Sequence, residues 1–287
     1  MSAPRQRTRH LWKIRDGEVP LGAQTLLLGV LDLGVDGARP EGEASLARAE
    51  ELVDEGAAMI DVTALPGPSR SVRIDADHEL RRLVPTVRKL AAHLDVPFSV
   101  ATYNSETAAR VIELGVSVIN DPTGLALDPE MPKTVGVSDV GVILAHAFGG
   151  PETWSKGRPL ARLFEMIRSD LDSAVARSRR GGASDRRRIV VDPGLGLGKK
   201  GPQNWQVLER LDELAVLGQP VMVSASGKPF LTETVRAPEM ESILGEAIAV
   251  AQAVRGGAHI VRTEHVKEMR AAAATADRLL EALEALG

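Results

Sequence analysis

No cysteine occurs anywhere in the 287 residues. This excludes disulfide staples, thiolate zinc centres and a cysteine nucleophile. It also fits a reducing compartment, so a cytoplasmic location is expected. Aromatic residues amount to three Trp, one Tyr and four Phe, 3% of the chain. The core must therefore be filled by Ala, Val, Leu and Ile, and few rings are left to stack on nucleic-acid bases. No apolar stretch approaches the roughly 18 uncharged residues that a membrane span needs. The basic segment 1–12 lacks the apolar region of a secretory signal. A net charge of -4 offers no broad cationic field for a nucleic acid or an anionic membrane. The one basic cluster, 177–188 (RSRRGGASDRRR), reads as a solvated helix end and loop, with a phosphate patch as the other reading.

What is present is the composition of a folded enzyme-sized chain: 44% hydrophobic and 26% charged residues rule out general disorder. Short β-rich runs alternate with longer runs of helical periodicity. Strands are expected at 25–31, 58–62, 97–100, 117–119, 140–144, 188–191, 220–224 and 258–261. Helices are expected at 43–55, 77–94, 105–114, 129–137, 160–179, 203–217, 239–254 and 266–286. The strands show little polar alternation, as strands buried on both faces do. Eight βα repeats at this length predict an α/β fold, a (β/α)8 TIM barrel at 25–287 forming a single domain. The preceding 1–24 reads as an extension with a hairpin (11–14 and 19–21) that closes the barrel bottom.

A barrel of this kind works at the C-terminal ends of its strands. There the sequence places Asp32, Asp61, Ala101-Thr102, Asn120-Asp121, His146, Asp192, Ser226-Gly227-Lys228 and Arg262-Thr263-Glu264-His265. Polar and charged groups from separate parts of the chain converge on one face. Asp61 and Asp121 read equally well as caps of the loops that follow them, and His146 as a hydrogen-bonded core histidine. Asp192 is harder to read as structural, because an unpaired carboxylate ending an apolar strand is costly. Lys228 or a ligand with adjacent N–H donors would offset that cost. The acids Asp32 and Asp36 could hold Mg²⁺ through oxygen, or be plain loop acids. The glycine run Gly194–Gly198 with Lys199 fails the spacing of a phosphate loop, and is read as a close backbone approach to a flat ligand.

The string Asp192-Pro193-Gly194-Leu195-Gly196-Leu197-Gly198-Lys199 resembles the D-P-G-x-G-F-G-K signature of dihydropteroate synthases. Ile119-Asn120-Asp121 resembles their I-N-D, Ala145-His146 with Gly149-Gly150-Pro151 their M-H-x-x-G-x-P, Ser226-Gly227-Lys228 their S-R-K, and Arg262-Thr263-Glu264 their R-V-H. Order and spacing hold from about residue 25 to the C-terminus. The resemblance implies a pterin-binding barrel that joins a hydroxymethyl-dihydropterin pyrophosphate to 4-aminobenzoate, as a homodimer, with Mg²⁺ as cofactor near Asp32. It implies that Asp192, Asn120, Lys228 and Arg262 bind the pterin. Of these, Lys228, Arg262 and Asp192 would carry the catalysis. Asp61, His146, Ser226, Glu264 and Asp36 would complete the pocket.

The chain departs from the family at several of these positions. The Asp that ends strand three is Ala101, the Phe of G-F-G-K is Leu197, the Arg of S-R-K is Gly227 and the His of R-V-H is Glu264. The first loop keeps only Asp36, and the second loop (63–68) loses its Thr-Arg pair. The losses fall on groups for aminobenzoate, pyrophosphate and metal. Two lost anion contacts at roughly 2–4 kcal/mol each would slow the reaction by orders of magnitude. Two readings follow: a synthase-like transferase with its standard reaction impaired, or a pterin-binding paralogue that does not catalyse it.

Overall fold

The structure is a computed structural model, describing residues 7–34, 42–67, 70, 72–157, 159, 161–235 and 239–284. The chain opens with an antiparallel hairpin, β1 (His10–Ile14) and β2 (Gly17–Leu21). Eight parallel strands follow: β3 (Leu26–Asp32), β4 (Met59–Thr63), β5 (Phe98–Ala101), β6 (Val118–Asp121), β7 (Gly141–Ala145), β8 (Ile189–Asp192), β9 (Met222–Ser224) and β10 (Ile260–Thr263). They pair in the order β8-β7-β6-β5-β4-β3-β10-β9. A single bridge, Val191 to Val221, joins the two end strands and closes the ring. This is the expected (β/α)8 TIM barrel. The helices are α1 (Glu43–Glu55), α2 (Ala76–His93), α3 (Ser105–Glu113), α4 (Met131–Gly136), α5 (Leu163–Arg180), α6 (Gly201–Glu209), α7 (Pro229–Val235), α8 (Glu239–Arg255) and α9 (Val266–Glu284).

Strand side chains alternate between the barrel interior and the helical layer. One parity (Leu27, Leu31, Ile60, Val62, Val100, Ile119, Val142, Val191 and Val261) packs outward beneath the helices. The other parity fills the lower interior with Leu28, Met59, Val118, Ile143, Val190, Met222 and Ile260. The hairpin plugs this layer from below. Trp12, fully buried, lies among those seven with Ile14 and Leu21, and its indole Nε1 donates to Arg188 O at 3.0 Å. Arg7 ties the start of the described chain to the last helix through Asp277, at 2.8 Å.

The helix α7 was not expected from the sequence, and one expected helix changes its extent. The segment 203–217 splits into α6 and a 3-10 helix, Leu211–Leu217, with Arg210 between them at φ -106°, ψ 20°. The apolar residues there, Leu211, Leu214 and Leu217, recur every third position and are all buried. That spacing faces one side in a 3-10 helix rather than in an α-helix. The basic cluster also does more than sit in solvent: Arg177 caps Gly124 O, and Arg188 is buried, donating to Val140 O and Val135 O. Among the described residues no helix is long and apolar enough to cross a membrane.

Candidate active site

The interior parity that supplies the lower core continues upward into polar residues. Two positions after Met59, Val118, Val190 and Ile260 stand Asp61, Asn120, Asp192 and Arg262, so each points into the barrel mouth. Above them is a cleft of 140 Å³ whose lining includes Asp32, Asn120, Asp192, Lys228, Arg262 and Glu264. One side is apolar, where Leu65, Ala101, Tyr103, Ala145, Trp154 and Leu197 form a small cluster.

Two charged groups carry the floor. Asp61, fully buried, accepts from Arg262 Nε at 2.6 Å, from Asn120 Nδ2 at 3.2 Å and from Ser99 Oγ. Arg262 thus reaches from β10 across β3 to β4. Asp192 accepts from Gly194 N at 2.7 Å. Burial raises its pKa, against the positive fields of Lys228, Lys199 and Arg262. Lys228 is lowered to about 8, first by burial and then by Arg262, with Asp192 opposing. Lys199 is lowered to about 7 by burial, and its Nζ donates to Gly194 O at 2.8 Å and His146 O at 3.2 Å. A carboxylate with cationic neighbours on one cleft wall and a carboxamide on another can bind a flat ring whose edge carries paired donors beside acceptors.

The other expected residues are placed as follows. Ser226 lines the cleft, its Oγ accepting from Glu264 N at 3.1 Å. Asp32 lines the cleft and accepts from Gly34 N at 2.7 Å. Asp36 lies outside the described residues. His146 does not join the site: it follows the interior residue Ala145, so its ring turns outward, where Nε2 meets Asp170 Oδ2 on α5 at 3.2 Å. Burial holds it near pKa 4. Asp121 also turns outward and caps its loop, accepting from Thr123 N, Thr123 Oγ1 and Leu125 N. Burial pushes it up to about 6.

The glycine run answers to the neighbouring loop as well. A Cβ on Gly194 (φ 67°) would lie 1.9 Å from His146 O, and one on Gly198 (φ 74°) 2.3 Å from Phe148 O. These glycines are needed where the loops after β7 and β8 touch, a contact the linear sequence does not show. Three further residues lie outside the sequence reading of the site. Lys199 is visible in the sequence only as the end of the glycine run. Trp154 has a signal, as one of three tryptophans, next to Gly149-Gly150-Pro151. Glu79, on α2, is fully buried, and its Oε2 accepts from Thr102 Oγ1, Asn104 Nδ2 and Thr107 Oγ1 at 2.9, 2.7 and 2.7 Å. It pins the loop behind Ala101, and its pKa is raised to about 7 by burial.

A family model described as pterin binding enzyme matches residues 30–264. The chain belongs to the dihydropteroate synthase family of pterin-binding enzymes. Dihydropteroate synthase of Synechocystis is 29% identical over 264 residues, covering 90% of this chain and 91% of its own. Among solved structures, dihydropteroate synthase from Clostridium difficile in the presence of pteroic acid superposes with a TM-score of 0.83 at 30% identity, over 90% of this chain and 98% of that one. The Thermus thermophilus enzyme in complex with 4-aminobenzoate superposes at 0.79, again at 30% identity, over 97% and 100%. The family departures now have places. Ala101 sits in the apolar wall, and Gly227 takes a left-handed φ of 64°, where an arginine would be strained.

Proposed function

We propose that the chain is a dihydropteroate synthase-like transferase, condensing 6-hydroxymethyl-7,8-dihydropterin pyrophosphate with 4-aminobenzoate. The observation that carries this reading is the convergence of inward-facing Asn120, Asp192, Lys228 and Arg262 on one cleft. Asp192 accepts from the amino and ring N–H donors of the pterin, Asn120 meets the same ring edge, and Lys228 donates to the carbonyl and a ring nitrogen. The aminobenzoate nitrogen attacks the methylene carbon as the bond to the pyrophosphate oxygen breaks. The leaving group takes the electron pair, and the amine loses its proton to solvent. Lys228 and Arg262 stabilise the negative charge that develops on that oxygen. A cavity of about 150 Å³ takes one benzene ring. A fused pterin therefore needs the 140 Å³ cleft to widen.

Among the described residues no three acids form a cage for a metal. Mg²⁺ commonly takes one or two carboxylates plus substrate phosphates. Asp32, at the cleft, fits that pattern, and an ion held there together with the pyrophosphate would neutralise its charge. Dimerisation is proposed through α8 and α9, which expose Leu244, Ile248, Leu279 and Leu283. The alanines of α9 do not offer a continuous face for it, since Ala273 and Ala276 pack inward. The cytoplasm is the compartment where both substrates and a cysteine-free chain are at home. Calorimetric titration of the pterin pyrophosphate, with and without Mg²⁺, followed by 4-aminobenzoate and detection of dihydropteroate, tests the proposal. Binding without product would leave a pterin-binding protein; no binding would remove the pterin as well.

A further inference from the structure

Lys199 is a buried cation at the barrel mouth to which the reaction above gives no task. Its side chain folds back over its own loop. The ammonium donates to Gly194 O at 2.8 Å, and to His146 O, on the loop after β7, at 3.2 Å. Gly194 N in turn donates to Asp192 Oδ1 at 2.7 Å, and His146 N donates to Asp192 O at 2.9 Å. These hydrogen bonds form a closed circuit, from Lys199 through Gly194 to Asp192 and back through His146. Both residues that hold Asp192 are themselves held by one ammonium.

A staple alone does not call for a charge. Asn204, on α6, does comparable work in the same loop with a neutral amide. Its Oδ1 accepts from Gly196 N at 2.8 Å, and its Nδ2 donates to Lys200 O at 3.0 Å. Burying an ammonium costs more than burying an amide, and the N–H groups of Lys199 meet carbonyls rather than a carboxylate. The charge does act on Asp192. Burial raises that carboxyl, and the positive fields of Lys228, Lys199 and Arg262 pull against it. The effect is mutual: burial lowers Lys199 to about 7, with Asp192 opposing, Lys228 adding, and Asp170 of α5 opposing. The neighbouring His146 ring stays neutral, lowered to about 4 first by burial and then by Lys199.

We propose that Lys199 is a positioning residue for pterin binding: through Gly194 and His146 it fixes the aim of the Asp192 carboxylate, and its charge keeps that carboxylate ionised. The proposal rests on the transferase reading given above, in which Asp192 accepts from the pterin's N–H donors. A protonated Asp192 turns one acceptor into a donor and opposes one of them. Lys228 and Arg262 line the cleft, whereas Lys199 does not. It acts on the ring only through Asp192.

The probe is 6-hydroxymethyl-7,8-dihydropterin, which lacks the titrating pyrophosphate, bound calorimetrically to the full chain across a range of pH. Affinity is present above the Asp192 pKa and is lost as pH falls through it, because the paired acceptors exist only in the carboxylate. Lys199→Gln keeps a neutral donor and removes the charge. It is expected to move this acid limb to higher pH by roughly one unit, the shift that a neighbouring opposite charge produces, and so to weaken binding about tenfold on the acid side. Lys199→Arg keeps the charge and the donors, and the 520 Å³ cavity that Lys199 lines gives the guanidinium room. It should restore the parent's limb. A residue that only stapled the loop would lower affinity equally at every pH and leave the limb in place. That result, or an Arg variant shifted as far as the Gln variant, overturns the proposal. Melting temperatures check the fold, and Lys199→Met, also neutral, serves as the second uncharged variant should Lys199→Gln unfold. Failure of the parent chain to bind the probe at any pH would instead strike the transferase reading.

Discussion

Replacing Asp192 by Asn changes the shape of the site hardly at all and its chemistry severely. The carboxylate is buried, accepting from Gly194 N, with Lys228, Lys199 and Arg262 supplying positive field. It is the acceptor available to a ligand edge with two adjacent N–H donors. Each charge-assisted hydrogen bond of this kind contributes roughly 1.5–3 kcal/mol. The amide keeps one acceptor but turns an NH₂ toward the ligand's other donor. The loss is therefore about 3–6 kcal/mol, or roughly 100- to 10,000-fold in pterin affinity. A second effect has a definite sign. Asp192 favours the charged form of Lys228, which otherwise titrates near 8, and of Lys199, near 7. Without it both lysines lose their protons at lower pH, so residual affinity falls between pH 6 and 8, where the parent protein changes less. Calorimetry of Asp192→Asn at pH 6, 7 and 8 reads both effects. Affinity within threefold of the parent at all three values would refute the assignment of Asp192 to the pterin edge.

Arg262→Ala should destabilise the fold as well as the reaction, by about 3–5 kcal/mol in urea denaturation, because Asp61 is left buried without its ion-pair partner. Adding Asp61→Asn should recover part of the stability and none of the activity. Glu79, raised from 4.5 to about 7, binds its proton more tightly in the folded state. Stability is therefore greatest below pH 4.5 for this group and is lost as pH rises to 7, by about 3 kcal/mol. Glu79→Gln should flatten the melting temperature across that window relative to the parent, and unchanged steepness would count against it. Gly194→Ala should cost at least about 2 kcal/mol and weaken pterin binding together. Its Cβ meets His146 O at 1.9 Å and its φ is 67°; a melting temperature equal to the parent's would show that the loop yields freely.

The barrel was legible because periodicity is a property of sequence alone: eight β-rich runs between helical ones leave few alternatives. The polar ring was legible for the same reason, since most of the strands end at or next to a charged or carboxamide group. What the linear reading did not use was parity. Asp61, Asn120, Asp192 and Arg262 share the register of Met59, Val118, Val190 and Ile260, whereas Asp121 and His146 fall on the opposite register and turn outward. Counting by two from the apolar interior residues would have separated site residues from loop and core residues. Glu79, by contrast, had no such marker. It lies on a helix among ordinary polar residues, and only the fold brings Thr102, Asn104 and Thr107 to it. The contact of Gly194 with His146 O is likewise tertiary, joining positions 48 apart through strand order alone.

The ring of strands is not equally strong all the way round. Seven of its joints are ladders, and the eighth is the lone Val191–Val221 bridge. Asp192 stands on one lip of that joint and Lys228 follows the other. A ligand gripped by both works as a clasp across the weakest seam of the wall, so holding substrate and holding the barrel shut are one mechanical act. An empty barrel should breathe there first, and its amides at 191 and 221–224 should exchange with solvent ahead of those in the opposite wall, until the clasp is set.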